Sequence, residues 1–340
     1  MTASNLKGSL LEYTVRRILL NCGFTKVKPD GLIIYKKSGL TMISGKGASH
    51  DADVLMNPPI QMPFSYPYRL NFECKAYNKK VGLTIIRNAL GLRYDINEFE
   101  IVTRKHLKLR QNNLRSPLAI DSRQRFNYQV GVASVEDFTK PAFEFAANNK
   151  IPLISLRWFL PASICDSFHQ ITPAYLQRFT EQQMDDLYSF LKGNANDNAS
   201  NFLRDTDSIF KNIYDSIVEF ENKVIIGLLE SGDLLFLISN NGNGLGYISN
   251  TNTVMTARFH YQRNTLYNWT LLIDQEIEFE FYLPLRIIEM WKEQSFDGQA
   301  AIDLKSNLFS RLFVFVKNTE LPFRILKIDR SWLNGINENR

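Results

Sequence analysis

The sequence predicts an α/β domain, a central mixed sheet flanked by helices, followed by a helical segment and a strand-rich α+β C-terminal domain. Three observations carry this. Helix-like and strand-like periodicities alternate over residues 1–160, the pattern of a sheet with helices laid on it. Residues 174–192 have helical spacing and are followed by the polar, aperiodic stretch Gly193 to Asn201, which reads as a linker. From Val224 onward apolar runs are punctuated by turn signals, Ser231-Gly232-Asp233 and Asn240-Asn241-Gly242-Asn243-Gly244. The expected divisions are therefore 1–160, a connector over 161–204, and 205–340, the last serving recognition, oligomerisation or partner docking.

The elements follow in order. Residues 4–21 place Leu11, Val15, Ile18 and Leu19 on one helical stripe, and Asn21-Cys22-Gly23 supplies a glycine C-cap. Gly31 to Tyr35 and Ala52 to Met56 are strand-like, and Asn57-Pro58-Pro59 stops the second. In Arg69 to Lys75 apolar Leu70 and Phe72 alternate with Asn71, Glu73 and Lys75, so the polar set shares one face. Val81 to Arg93 returns to helical spacing and Glu98 to Thr103 is strand-like. Val130 to Ser134 is β-like, and a helix capped near Thr139 carries Pro141 in its first turn. Ile151 to Leu156 closes this part as a buried strand, and a helix spans about 205–222.

Composition sets limits. Hydrophobic residues are 44% of the 340 and charged residues 22%, values of a folded chain with a core rather than a disordered one. Lys plus Arg number 40 against 35 acids, a net charge of +5, which suits a nucleic-acid partner without requiring one. Cys22, Cys74 and Cys165 form no close pair, and His50, His106, His169 and His260 are scattered. Neither a disulfide framework nor a zinc site is indicated. The N-terminus lacks an apolar signal region and no run is long enough to span a bilayer, so the expectation is a soluble, cytoplasmic protein with no membrane partner.

One constellation carries chemistry. Glu73 and Lys75, two residues apart on a strand, point to one face, and the Cys74 carbonyl between them is free to ligate a cation. Asp53 on the preceding strand is placed to reach Glu73. Glu12, beside the apolar stripe of the first helix, is placed to reach the same sheet end. Taken singly, each is an ordinary surface or turn residue; the order helix with Glu, strand with Asp, strand with Glu-x-Lys, helix is what gives weight to the set. Converging carboxylates hold Mg²⁺ while leaving it several waters, and a lysine beside them supplies a point positive charge.

In that order the sequence resembles the PD-(D/E)xK nuclease superfamily, and within it the Mrr-like restriction endonucleases. Gly45-Lys46-Gly47 with His50-Asp51-Ala52-Asp53-Val54 is similar to their Gly-x-Gly…His-x-x-Asp-Val element. Phe72-Glu73-Cys74-Lys75 with Lys80-Val81-Gly82 is similar to the catalytic strand and its exit. Val130-Gly131-Val132 and Phe138-Thr139-Lys140-Pro141-Ala142 match the later strand and helix, and Gly8 to Phe24, with Glu12, is similar to the first helix of archaeal-type junction resolvases. The resemblance covers most of 6–156 and implies a restriction-endonuclease-like fold that cleaves DNA with Mg²⁺, Mn²⁺ being able to substitute, in prokaryotic restriction or anti-phage defence. It implies Asp53, Glu73 and Glu12, with Cys74, around the metal, and Glu12, Asp53, Glu73 and Lys75 as the catalytic set. Ala52 stands where the family's name has proline, and 95–127 reads as an insertion beside the DNA cleft.

Between Arg104 and Arg125 lie seven basic residues and one acid, Asp121. Arg104, Lys105, Lys108 and Arg110, with Arg87 on the following helix, are the candidate phosphate contacts; a solvated loop is the plain alternative. His50 either positions the Asp53 strand and substrate or makes a structural hydrogen bond. The leading expectation is a Mg²⁺-dependent DNA endonuclease, acting as a homodimer or with a protein partner such as an ATPase. The rivals are a nucleic-acid-binding or assembly subunit that keeps a nuclease fold as scaffold, and a nuclease for RNA or for branched or modified DNA.

Overall fold

The structure is a computed structural model that describes residues 2–31, 33–61, 66–98, 126–193, 208–229, 234–239, 244–261, 268–283, 285–295, 298–317 and 320–338. The basic run at 104–125, nearly all of the strand expected at 98–103, the linker at 194–201 and most of the turn signals lie outside these residues.

Helix α1 (Ala3–Asn21) starts where the Thr2 hydroxyl accepts the Asn5 N–H at 3.2 Å and stops at Cys22 and Gly23, the latter at φ +84°. A polar cap and a left-handed glycine are what its ends need. Five strands then form a mixed sheet in the order β1-β5-β6-β7-β8: Thr25–Lys26, Val54–Asn57, Tyr68–Lys75, Asn127–Ser134 and Leu153–Ser155. β5 runs antiparallel to β6, while β6, β7 and β8 are parallel. Phe72 and Cys74 of β6 enter the core under α1 with Val54 and Met56 of β5. On the other face Val130 and Val132 of β7 pack with Ile86 and Ala89 of helix α2 (Leu83–Asn97) and Ala142 and Ala146 of helix α3 (Lys140–Asn148).

A separate three-stranded sheet, β2 (Ile34–Lys37), β3 (Leu40–Ser44) and β4 (Ser49–Asp51), precedes β5. After β8 come helices α4 (Ala162–Gln170), α5 (Pro173–Leu176) and α6 (Glu181–Leu191). The single helix expected at 174–192 is broken because Thr180 and Gln183 form a capping box that starts α6 afresh.

Helix α7 (Ser208–Glu221) leads into strands β9 (Val224–Leu229), β10 (Leu234–Ser239), β11 (Val254–Tyr261), β12 (Asn268–Ile273), β13 (Ile277–Tyr282), β14 (Arg311–Phe315) and β15 (Phe323–Ile328). They close into a seven-stranded barrel, β10-β13-β12-β11-β15-β14-β9, with β9 paired back to β10. Helix α8 (Gly244–Asn250) lies between β10 and β11, and α9 (Leu285–Glu293) and α10 (Gly298–Leu308) lie between β13 and β14.

This overturns the expected fold class. The chain is not a single central sheet flanked by helices, followed by a helical segment and an open strand-rich α+β domain. It holds a five-stranded mixed sheet, a small second sheet and a closed barrel. Closure rests on three pairings between strands that are not neighbours in sequence, β10 with β13, β11 with β15 and β9 with β14. Hairpin signals report neighbours only, so a barrel and an open sheet look alike in the sequence.

The connector also differs from a spacer. Leu187 and Leu191 of α6 and Phe210 and Ile213 of α7 join one apolar cluster with Leu11 and Val15 of α1, and Ile226, Phe236 and Phe315 of the barrel belong to it too. Arg17 of α1 makes two bonds of 2.6 Å to the carboxylate of Glu221.

Candidate active site

Asp53 stands just ahead of β5 and accepts the backbone N–H of Cys74 on Oδ2 at 2.8 Å. The antiparallel pairing of Val54 with Phe72 brings it there. Strand alternation sends Cys74 into the core and leaves Glu73 and Lys75 together on the other face, where the Lys75 Nζ lies 3.0 Å from Glu73 Oε2. The Cys74 thiol is buried and pushed far above its ordinary range, by burial first and then by Asp53, Glu12 and Glu73.

Glu12 is buried on α1. Its Oε2 receives the ammonium of Lys192 at 2.6 Å, both side chains being largely shielded. Burial raises the Glu12 carboxyl, and Lys192 pulls it back only in part. Asp53 is pushed up to about 7 by burial, then by the charges of Glu12 and Glu73. Burial lowers Lys75, but Glu73 and Asp53 outweigh it and the ammonium is held above its usual range. The structure thus brings Glu12, Asp53, Glu73 and Lys75 into one electrostatic cluster.

Two members were not foreseen. Asp51 is raised by burial, opposed by Lys192 and raised again by Glu73. Its signal was present, since Asp51 and Asp53 are two apart in an extended run. Lys192 lies just past the end of α6, 180 positions from Glu12, and no local pattern marks it.

His50 and the glycine run serve the hairpin. Asp95 of α2 accepts the Gly47 N–H on Oδ1 at 2.7 Å and meets His50 Nε2 with Oδ2 at 2.6 Å. A Cβ on Gly45 would collide with the Asp95 carboxylate, so that loop needs glycine for close approach. This is the structural hydrogen bond of the two readings of His50. Arg87 is exposed, with its guanidinium 5.8 Å from the Phe145 ring centre. Arg104, Lys105, Lys108 and Arg110 are outside the described residues.

Among the described residues no group of three or more His, Cys, Asp or Glu side chains is drawn together as a ready metal cage. The donors are hard carboxylate oxygens, and Asp53 is held near 7 by burial first and then by repulsion from Glu12 and Glu73. A divalent cation would relieve that repulsion, and one that keeps several waters, as Mg²⁺ does, needs few protein ligands. In chemistry the residues fit.

No family model matches the chain. No curated protein matches it either. Among solved structures it is similar to a protein described as of unknown function, at 15% identity over 62% of this chain and 95% of that one, with a TM-score of 0.33. So loose a superposition carries no argument. Among the described residues no helix is long and apolar enough to cross a membrane.

Proposed function

We propose that the chain is a metal-dependent endonuclease that hydrolyses DNA phosphodiester bonds in prokaryotic restriction or anti-phage defence. The observation that supports it best is the pairing of Asp53 with the Glu73-Cys74-Lys75 strand. One backbone bond, Cys74 N–H to Asp53, fixes a buried carboxylate beside a Glu–Lys pair.

Asp53, Glu73 and the Cys74 carbonyl would hold Mg²⁺ or Mn²⁺, with Glu12 at the edge. When bound, such an ion stabilises charge on phosphate oxygens and lowers the pKa of water. The chain's own groups do the rest. The Cys74 N–H keeps the Asp53 carboxylate oriented. Lys75 stays charged beside Glu73, placed to orient the attacking water or to stabilise phosphate charge. Burial of Glu12, Asp53 and Cys74 keeps bulk water from screening these charges. Arg87 and the basic run at 104–125 are the proposed phosphate contacts.

The test is cleavage of supercoiled and linear DNA with Mg²⁺ or Mn²⁺ by wild type, Asp53→Ala and Lys75→Ala. We expect nicking by wild type and a loss of at least ~100-fold in each folded variant. If purified wild type cuts neither DNA, nor RNA nor branched DNA with either metal, the enzymatic reading fails. Metal-independent DNA binding unchanged in Asp53→Ala would then favour a scaffold role.

A further inference from the structure

Lys192 is held as a fixed part of the cluster. The C-terminal end of α6 is tied to α1 by Arg16, whose guanidinium donates to the Leu191 carbonyl. Gly193, at φ +78°, turns the chain immediately afterwards. The Lys192 ammonium lies 5.7 Å from the centre of the Tyr188 ring and 2.6 Å from Glu12 Oε2. Side-chain exposure is 15% for Lys192 and 9% for Glu12, so the pair is not a solvated surface contact. The lysine charge also acts on Asp51 and Asp53.

Around this point four carboxylates, Glu12, Asp51, Asp53 and Glu73, face four cations, Arg16, Lys36, Lys75 and Lys192. Fully ionised, the cluster is neutral. A single divalent ion overshoots neutrality by two charges, and a second would overshoot by four. Glu12 has a 2.6 Å bond to the Lys192 ammonium and Glu73 a longer one, 3.0 Å, to Lys75, while among the described residues Asp53 accepts a backbone N–H.

We propose that Lys192 is the resident counter-cation of this site. Its ammonium fills the place beside Glu12 that a second divalent ion would need, so the chain takes up one such ion, at Asp53 and Glu73, and not two. This rests on the reading of Asp53 and Glu73 as a metal-binding pair. An ammonium offers a compact positive charge to a carboxylate, as a metal ion does. Unlike a metal ion, it is present from the moment the chain folds and cannot be removed by a chelator. Lys192 is a positioning residue here: it sets the charge and orientation of Glu12 and touches no reacting atom.

The experiment is titration of the metal-free, full-length protein with Mn²⁺, counting bound ions by calorimetry and by the electron paramagnetic resonance signal of free Mn²⁺. Wild type should bind one ion, and Lys192→Met, which uncovers Glu12, should bind two. Glu12→Gln combined with Lys192→Met should return to one, because the uncovered carboxylate is gone. Lys192→Arg should stay at one. Circular dichroism establishes that each variant is folded. Two ions on wild type overturn the inference while leaving the metal-binding reading in place, and that outcome does not depend on any variant folding. A folded Lys192→Met that still binds one ion overturns it as well. No Mn²⁺ on wild type overturns the metal-binding reading, and this inference with it.

Discussion

At the residue scale the site is governed by one carboxyl group. Asp53 is held at about 7 by burial and by Glu12 and Glu73, whereas an unfolded aspartate titrates near ~3.9. Between these values the folded protein binds the extra proton. Its contribution to stability is therefore highest below about pH 4, falls as pH rises to about 7, and is level beyond. Asp53→Asn removes the titration. In chelator, the stability of wild type minus that of Asp53→Asn should decline across this window, with a slope of at most ~1.4 kcal/mol per pH unit. Denaturant unfolding at several pH values measures it, and a flat difference would show that Asp53 is not strained. With Mn²⁺ present the decline should shrink, because bound cation favours the ionised form.

At the element scale, strands and helices are held by contacts that only partly follow local pattern. Asp95→Ala cuts the Gly47 and His50 contacts that fasten the β3–β4 turn to α2. The Asp95 carboxyl lies below its usual range, chiefly through the hydrogen bond with His50. Its contribution is present above the unfolded pKa and lost as pH falls through the lower folded value. We expect a cost of about 1–2 kcal/mol at neutral pH, vanishing in strong acid, read from melting curves at both pH values. Gly131 of β7 is a second case: a Cβ there would run into the Phe72 ring and come within 2.8 Å of the Pro152 carbonyl. Gly131→Ala should destabilise by about 1–3 kcal/mol with an unchanged denaturant m-value; a neutral effect would mean that Phe72 has room to move.

These examples show what was legible. The β6 alternation, the glycine C-cap of α1, the start of α3 and the Glu73-x-Lys75 pair follow from spacing, because each depends on residues a few positions apart; Asp53, 21 positions before Cys74, followed from the order of the strands. The Gly-x-Gly run could be read as a tight spot, but its partner Asp95 lies 48 residues beyond Gly47. Lys192 and barrel closure were illegible for a related reason. They are pairings across long stretches of chain, and neither residue of such a pair announces the other.

At the scale of the whole molecule, the apolar cluster that begins on α1 runs without interruption through α6 and α7 into β9, β10 and β14. Residues 1–160 expressed alone would uncover Tyr13, whose ring lies 5.4 Å from that of Phe190, and leave Glu12 buried without Lys192. We expect that fragment not to give a cooperative melt. The full chain should unfold in a single transition, with calorimetric and van't Hoff enthalpies in agreement. Two separated transitions, or a well-dispersed spectrum from the fragment, would show that the sheet and the barrel are independent.

The barrel pairing of β11 with β15 has a consequence in time. Synthesis delivers Glu12, Asp53, Glu73 and Lys75 early, yet Lys192 and the barrel residue Phe315 of the same apolar cluster arrive much later. Contacts so distant in sequence form slowly and last. While most of the polypeptide is still on the ribosome, the carboxylates stand unshielded in water, where their charges are weak. On the proposed function, competence to cut would arrive only once Lys192 and the barrel are in place.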